Sequence, residues 1–148
     1  MWRSILKALR QYFDSRLDVA LSTRASESTL SKVVDSLKPT LLAENLVTLD
    51  NSNGTTTVLR DVFASNVNVT ADGELAVQIA LDTATKAKLR IVRGTTLEYY
   101  VNEGNNLQAG AWYEFRFSAK SGDAVNVVIE VPAGAVVNAY VALFLRKR

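Results

Sequence analysis

Carboxylates on strand-like segments are the residues of this chain whose type and spacing come nearest to an active site. Glu98, Glu114 and Glu130 each fall in a stretch of alternating hydrophobicity, and a glycosidase needs two carboxylates that converge on one bond. Outward carboxylates on strands more often belong to a solvated face. Asp72 and Glu74 are two residues apart and could share a calcium ion, but an Asp-Gly step is more typical of a turn.

The chain lacks two side chains on which most enzymes depend. Its 148 residues include no His, the commonest general base near neutral pH, and no Cys. Disulfides, most zinc sites and most Ser or Cys hydrolase triads are therefore excluded, and no phosphate-binding or dinucleotide fingerprint is present. The sequence predicts a protein that is not an enzyme and that has no catalytic residue, no cofactor and no metal.

Aromatic side chains are the second candidate for binding, because exposed rings can stack on sugars. Tyr99 and Tyr100 fall in one predicted strand, and Trp112 and Tyr113 fall in the next. Trp112 and Tyr100 have outward parity, and we expect them at a subunit interface, at the rim of the core or against a ligand. The rings with inward parity, which we expect in the core, are Tyr99, Tyr113, Phe115 and Phe117.

The N-terminal third has the 3.6-residue period of amphipathic helices. Residues 1–17 predict one helix, and a second helix of about 14 residues follows Ser22 and Thr23 and ends at Pro39. Helices this short are marginal in water, so each needs a partner. The first helix could dock on its own domain or on a partner subunit, lie on a membrane surface, or order only on assembly. The two apolar stripes are Trp2, Ile5, Leu6, Leu9 and Phe13, then Leu30, Val33, Val34 and Leu37.

After Pro39 the period changes to two residues, which is typical of strands. The predicted strands are 45–50, 55–60, 66–70, 74–82, 87–93, 96–102, 111–119, 124–131 and 135–145. Asn51–Gly54 predicts a hairpin between the first two, and every loop is too short for a parallel crossover. We expect a mainly β fold, an antiparallel β-sandwich preceded by two short N-terminal α-helices. A jelly-roll-like topology is the first choice, and an immunoglobulin-like or other Greek-key sandwich is the second.

Domain organisation and charge follow the same division. We expect a helical N-terminal arm over 1–39 and a single β-sandwich domain over 40–148 with a basic C-terminal tip. Residues 1–38 carry seven Lys/Arg and four Asp/Glu, whereas 39–145 carry seven and eleven. A net charge of +2 is too small for a general nucleic-acid binder, but the basic ends are candidates for contact with nucleic acid or lipid. These basic residues are Arg3, Lys7, Arg10, Arg146, Lys147 and Arg148.

The last predicted strand is apolar on both faces. Val141 and Leu143 fall on one face, and Tyr140 and Phe144 fall on the other. A strand of this kind is covered on both sides, so an N-terminal helix or another subunit must lie over its second face. The residues that we expect in an oligomer interface are Trp2, Leu6, Leu9, Phe13, Leu30, Val33, Leu37, Trp112, Val141 and Leu143.

Two segments have a resemblance to viral proteins. Leu17–Leu30, LDVALSTRASESTL, resembles a segment that recurs in structural proteins of phages and archaeal viruses, especially fibre, spike and tail components. Residues 107–129, LQAGAWYEFRFSAKSGDAVNVVI, resemble the paired late strands of small viral sandwiches. The resemblance implies a capsid, turret, spike or decoration subunit of a virion. Its partners would be copies of itself, as a trimer or higher oligomer, and other virion proteins.

Two other functions remain open at this stage. One is an extracellular filament or tube subunit joined by strand exchange, with the N-terminal segment as donor. The other is a carbohydrate- or receptor-binding module of a fibre. Lys7 and Arg10 interrupt the apolar region that a secretory signal needs, so we expect synthesis in the host cytoplasm without a signal peptide and location in the virion.

Overall fold

The computed structural model describes residues 2–8, 30, 33 and 38–147. The chain divides into two compact units, Met1–Lys38 and Pro39–Arg148. In the first unit, residues 2–8 form an N-terminal helix, α1, while Leu30 and Val33 are helical positions within the second predicted helix. The rest of both predicted helices lies outside the described residues. In the part of the chain that is described, no helix is long and apolar enough to cross a bilayer.

The second unit is mainly β, and every strand pairing in it is antiparallel. Its strands are β1 (Thr40–Asp50), β2 (Val58–Asp61), β3 (Val67–Asn68), β4 (Gly73–Leu81), β5 (Ala87–Arg93), β6 (Thr95–Tyr100), β7 (Trp112–Ala119), β8 (Ala124–Val131) and β9 (Val136–Lys147), with a 3-10 turn at Asn102–Gly104. The front sheet has the order β1-β9-β4-β7. The back sheet has the order β2-β8-β5-β6, and β3 also pairs with β8. The predicted antiparallel β-sandwich is confirmed.

The strands pair in nested order along the chain. β1 pairs with β9, β2 and β3 with β8, β4 with β7, and β5 with β6. Successive nested pairs alternate between the two sheets, and the pairings β4–β9 and β5–β8 complete each sheet. Gly94 makes the innermost turn between Arg93 and Thr95, where its φ of +71° suits glycine and strains other residues. The second unit is therefore one long hairpin folded into two sheets.

Alternating side chains build the core between the two sheets. On β4, Leu75, Val77 and Ile79 have no exposed surface, whereas the residues between them are half-buried on the outer face. Burial of each such side chain stabilises the fold by about 1.5–3 kcal/mol. The inward residues that β8 and β9 add to this core are Val125, Val127, Ile129, Val131, Val137, Ala139, Val141, Leu143 and Leu145.

The Asn-Ser-Asn-Gly segment does not close a hairpin, and that prediction is wrong. β1 lies in the front sheet and β2 in the back sheet, so the segment carries the chain from one layer to the other. The buried Asn51 amide explains this path. Its Nδ2 donates to the carbonyl oxygen of Thr56 at 2.9 Å and to those of Val131 and Pro132 at 3.0 and 3.1 Å. A Cβ on Gly54 would overlap the Asn51 side chain, which requires glycine there.

Candidate interaction surfaces

The outer face of the front sheet has small side chains at its centre. Ala76 and Ala80 on β4 lie beside Phe144 and Tyr140 of β9, and Ala142 is buried between its neighbouring strands. A groove of about 250 Å³ opens on this face. Its lining residues are Pro39, Glu74, Ala76, Gln78, Glu114, Arg116, Phe144 and Arg146.

One wall of the groove is charged. Arg116 Nη1 lies 3.4 Å from Glu74 Oε1, and its Nη2 lies 3.2 Å from Glu114 Oε2. Gln78 Nε2 donates to Glu114 at 3.3 Å, and this bond, followed by those from Arg116, holds the pKa of Glu114 below its ordinary value. Glu114 is therefore an anion and not a proton donor near neutral pH. Ion pairs this exposed contribute little to stability, so their members can exchange partners readily.

Of the three strand carboxylates considered for glycosidase chemistry, Glu114 does not converge with the other two. Glu114 lies on the outer face of the front sheet, whereas Glu98 and Glu130 lie on the back sheet. Glu98 accepts from Arg90 Nε at 3.1 Å, and Glu130 accepts from the Tyr100 hydroxyl at 2.8 Å. Because the sandwich separates Glu114 from the other two, it cannot act with either on one glycosidic bond.

The acidic turn near Asp72 has structural contacts. The Asp72 carboxylate accepts from the Ser121 backbone N–H at 2.8 Å, while Glu74 turns toward Arg116. Across residues 2–8, 30, 33 and 38–147, no group of three or more His, Cys, Asp or Glu side chains could hold a metal ion. The contacts of Asp72 and Glu74 are those of a turn and an exposed ion pair.

An apolar row crosses the front sheet. The strand register places side by side, on β1, β9, β4 and β7, the residues Leu46, Tyr140, Ala80 and Trp112. Trp112 packs edge-to-face on Tyr140 with ring centroids 5.4 Å apart, yet it is 66% exposed, and Leu46 is 76% exposed. The Tyr140 hydroxyl donates to Glu44 at 2.8 Å, which raises the pKa of that hydroxyl. Large apolar side chains exposed in one continuous row mark an interaction surface.

The outer face of the back sheet carries a network of charged side chains. Arg90 Nη1 lies 2.9 Å from Asp61 and its Nε lies 3.1 Å from Glu98, so one guanidinium joins β5 to the carboxylates of β2 and β6. The Lys88 ammonium lies 4.6 Å from the centroid of the Tyr100 ring. Tyr100, which we expected at an interface, at the core rim or against a ligand, is thus engaged by charged neighbours of its own sheet.

The two sheets end at β6 and β7, where the described residues supply no further strand. On β7, Tyr113 and Phe115 stack with ring centroids 5.8 Å apart, and both are only half-buried. On β6, Leu97 and Tyr99 have inward parity but are 41% and 48% exposed. The prediction that Tyr99 belongs to the core is wrong, because an edge strand leaves its inward side chains partly uncovered.

The predicted interface residues of the N-terminal arm are only partly described. Leu9, Phe13 and Leu37 lie outside the described residues, as do Arg10 and Arg148 of the basic ends. Those that are described all have exposed side chains, and they are Trp2, Arg3, Leu6, Lys7, Leu30 and Val33. At the other end of the chain, Arg146 lines the front groove and Lys147 ends β9.

Val141 and Leu143 lie in the core between the sheets. Both have no exposed surface, so they have none to offer to another copy of the chain. Their placement in an oligomer interface is therefore wrong. On the opposite side of β9, Tyr140 and Phe144 are half-buried and Ala142 is buried, so this second face is covered only in part.

An ion pair that the sequence does not predict, between a half-exposed arginine and a buried carboxylate, fixes one end of the back sheet. Arg93 Nε and Nη2 donate to the two carboxylate oxygens of Asp123 at 2.7 and 2.6 Å, and the Lys120 N–H donates at 2.9 Å. Chiefly because of Arg93, the pKa of Asp123 is held below its ordinary value. The Ser-Gly-Asp turn is readable from the sequence, but no local signal links it to an arginine 30 positions earlier.

Comparison with known proteins does not assign the chain to a family. No family model matches it, and no curated protein matches it. The C-terminal domain of A223, a structural protein of Sulfolobus turreted icosahedral virus, is 13% identical with a TM-score of 0.43, covering 75% of this chain and 100% of that one. A structure of the Gx strain of infectious bursal disease virus is 13% identical with a TM-score of 0.40, covering 72% of this chain and 30% of that one. The C-terminal family 6 carbohydrate-binding module of LamC from Zobellia galactanivorans is 11% identical with a TM-score of 0.36, covering 70% of this chain and 91% of that one.

Proposed function

We propose that this chain is a non-enzymatic structural protein of a virus that acts by assembling with copies of itself. The observation that carries the proposal is the apolar row on the front sheet, in which Leu46 and Trp112 are largely exposed. An antiparallel sandwich that works alone commonly has solvated outer faces, and a row of large exposed apolar side chains is not expected on such a face. A capsid, turret, spike or decoration subunit would each use the front face to contact neighbours.

We also propose that the sandwich is a jelly roll. The nested pairs β1–β9, β2–β8, β4–β7 and β5–β6 are the pairs that form when one long hairpin wraps into two sheets. Jelly rolls occur in viral capsid proteins and also in lectins and cupins. The topology supports the proposed role without selecting it, because one fold hosts many functions.

The proposed building block is a trimer in which an N-terminal arm, residues 1–39, grips a neighbouring sandwich, residues 40–148. Trp2 and Leu6 on α1 are exposed apolar side chains, and Arg3 and Lys7 are exposed cations of the same short helix. The resemblance of Leu17–Leu30 to phage and archaeal virus proteins supplies the viral context. Other virion proteins, and nucleic acid or lipid at the basic ends, complete the set of proposed partners. Synthesis in the host cytoplasm and location in the virion follow from this role.

Electron microscopy of the purified full-length protein tests this function. We expect closed shells or discrete oligomers whose abundance rises with protein concentration. Filaments would favour the tube-subunit alternative, although helical residues 2–8 are not the extended donor that strand exchange needs. Complete absence of particles at every concentration up to the solubility limit would contradict assembly as the function.

Carbohydrate binding at Trp112 is the second candidate function. The exposed indole lies near the front groove, whose Glu114 and Arg116 could bond to sugar hydroxyls. The chain has two tryptophans, so a Trp2→Phe variant reports on Trp112 alone. Titration with soluble glucans should then change the fluorescence saturably if this function is correct. A response that survives in Trp112→Ala, or no response at all, would exclude Trp112 as a sugar platform.

A further inference from the structure

Among the described residues, β7 is an edge strand with the features of a strand that pairs with another chain. It ends the front sheet, and within the described residues its only strand partner is β4. An edge strand presents a row of backbone N–H and C=O groups that another strand can bind. β7 is eight residues long, and the backbone groups of alternate residues along it point to its open side.

Several of the usual protections of an edge are missing from β7, although it carries the charged residues Glu114 and Arg116. Its register with β4 runs from Gly73–Ala119 to Ala80–Trp112 without a bulge, and it contains neither Pro nor Lys. The opposite edge of the same sheet, β1, has a register irregularity between Leu41 and Ala43. In the back sheet, the edge strands β2 and β3 are four and two residues long. β7 is shorter than the 11-residue β1, but it is the edge of the front sheet with a regular register.

We propose that β7 pairs antiparallel with β7 of a second copy about a two-fold axis at Phe115. This register sets Glu114 against Arg116 of the second copy, and Arg116 against its Glu114, so two opposite-charge pairs form. On the inward side, Tyr113 faces Phe117 of the second copy and Phe115 faces its own equivalent. The sequence of β7 is therefore complementary to itself, as an isologous two-fold contact requires.

Registers centred on either charged residue lose this complementarity. An axis at Glu114 sets two carboxylates against each other, and an axis at Arg116 sets two guanidinium groups against each other. An axis between residues pairs outward with inward side chains, which the alternation of the strand forbids. The axis at Phe115 also overlaps residues 112–118 completely. The side chains of Glu114 and Arg116 are 40% and 53% exposed, so they are accessible to a second copy.

The occupant of this edge is a second copy, and the inference rests on the proposed self-association. A two-fold contact through β7 uses a different surface from the arm that the trimer uses. β6, the edge strand of the back sheet, lacks basic residues and cannot make the same reciprocal ion pairs. The contact would extend the front sheet across two copies and continue the aromatic inner face of β7.

Charge exchange in β7 tests the proposal with the full-length chain. Arg116→Glu and Glu114→Arg should each weaken the two-fold association, measured by sedimentation at several concentrations, by about tenfold or more, because like charges then face each other. The double variant with both changes should restore association to within about threefold. Arg60→Glu, an equal charge reversal on exposed β2 of the back sheet, is the matched control and should leave association unchanged.

Cross-linking fixes the register independently, since the natural chain has no Cys. Directly opposed residues of antiparallel strands have Cα atoms about 4.5–5.5 Å apart, within the range of a disulfide. Phe115→Cys should therefore form a disulfide-linked dimer on mild oxidation. Trp112→Cys and Ser118→Cys should cross-link when mixed and not when oxidised separately.

The outcomes separate this inference from the proposed function. Reduced association in both single charge variants, rescue in the double variant and the predicted disulfides support the two-fold contact. Association that none of the β7 variants alters, or cross-linking without the predicted register, overturns the contact and leaves assembly intact. A natural chain that stays monomeric in every experiment overturns both.

Discussion

The two outer faces of the sandwich are both built from the outward residues of alternating strands, but their side chains differ in character. On the back face, Arg90 bonds to Asp61 and Glu98, and Lys88 covers Tyr100. On the front face, the row containing Leu46 and Trp112 has little polar cover. The charged side chains of the back face find partners within the monomer, whereas the front face leaves a row of large apolar side chains exposed to another molecule. The front face is therefore where function is to be sought.

The largest expected effect comes from placing a charged side chain in the hydrophobic core between the two sheets. Val141→Asp or Leu143→Asp buries an unpaired carboxylate at a site with no exposed surface, which costs several kcal/mol and should leave the chain unfolded. Circular dichroism during thermal unfolding measures this. Lys88→Ala on the back face should change stability by roughly 0–1 kcal/mol. Wild-type melting of the aspartate variants would mean that β9 is a solvated edge.

The Arg93–Asp123 pair gives the next effect. Asp123→Asn should destabilise the fold by about 1–3 kcal/mol. This loss is smaller than for a fully buried ion pair, because the Arg93 side chain is 41% exposed and solvent screens its charge. Folding lowers the pKa of Asp123 below its ordinary value of 3.8, so the unfolded chain binds its proton first as pH falls. The pair therefore contributes its full stabilisation above pH 3.8. This stabilisation is lost as the pH falls through the lower pKa that Asp123 has in the folded state. Urea unfolding from pH 7 to pH 2 should show that the free energy of unfolding falls less at acid pH in Asp123→Asn than in the natural chain. Equal losses in the two proteins would show that other carboxylates dominate the acid dependence.

Substitution of one exposed leucine on each outer face compares the two faces most directly. Leu46→Glu on the front face should abolish assembly, whereas Leu59→Glu on the back face should leave it unchanged. Both side chains are exposed, so each change should alter monomer stability by no more than roughly 0.5 kcal/mol. Sedimentation of the two variants measures assembly, and urea unfolding measures stability. Equal loss of assembly in both would show that the faces are not functionally different.

Removal of the N-terminal arm should have the smallest effect on folding. A variant that begins at Pro39 keeps the described core, so circular dichroism should show a folded sandwich without higher assembly. Full-length protein should not bind anionic vesicles if the arm contacts protein. An unfolded variant would show that the arm belongs to the core, and normal assembly would show that the arm serves another purpose.

Local periodicity was enough to predict most strands. The predicted bounds 87–93 and 124–131 are those of β5 and β8, because alternation and turn residues are both written in adjacent positions. The order of strands in the sheets was not readable in the same way. Period two does not say which sheet a strand joins, so β1 and β2 were predicted as a hairpin although they lie in different layers.

The surfaces were harder to predict than the strands. Tyr99 has core parity, but its exposure depends on β6 being an edge, which only the strand order reveals. The apolar residues on both faces of the last strand correctly indicated that Leu143 is buried. They did not indicate that other strands of the same chain bury it. The front row and groove combine β1, β4, β7 and β9, which are distant in sequence, and no local pattern predicts their adjacency.

Light scattering of the natural full-length protein tests the central claim of self-association most directly. The measurement is the native mass across a series of micromolar concentrations, with Leu46→Glu measured in parallel. The account predicts a homo-oligomer, with the mass of a trimer as the smallest stable species, and a lower mass for the variant. A pentamer or hexamer would keep assembly and remove the trimer. A monodisperse, stable monomer throughout the series would contradict the account.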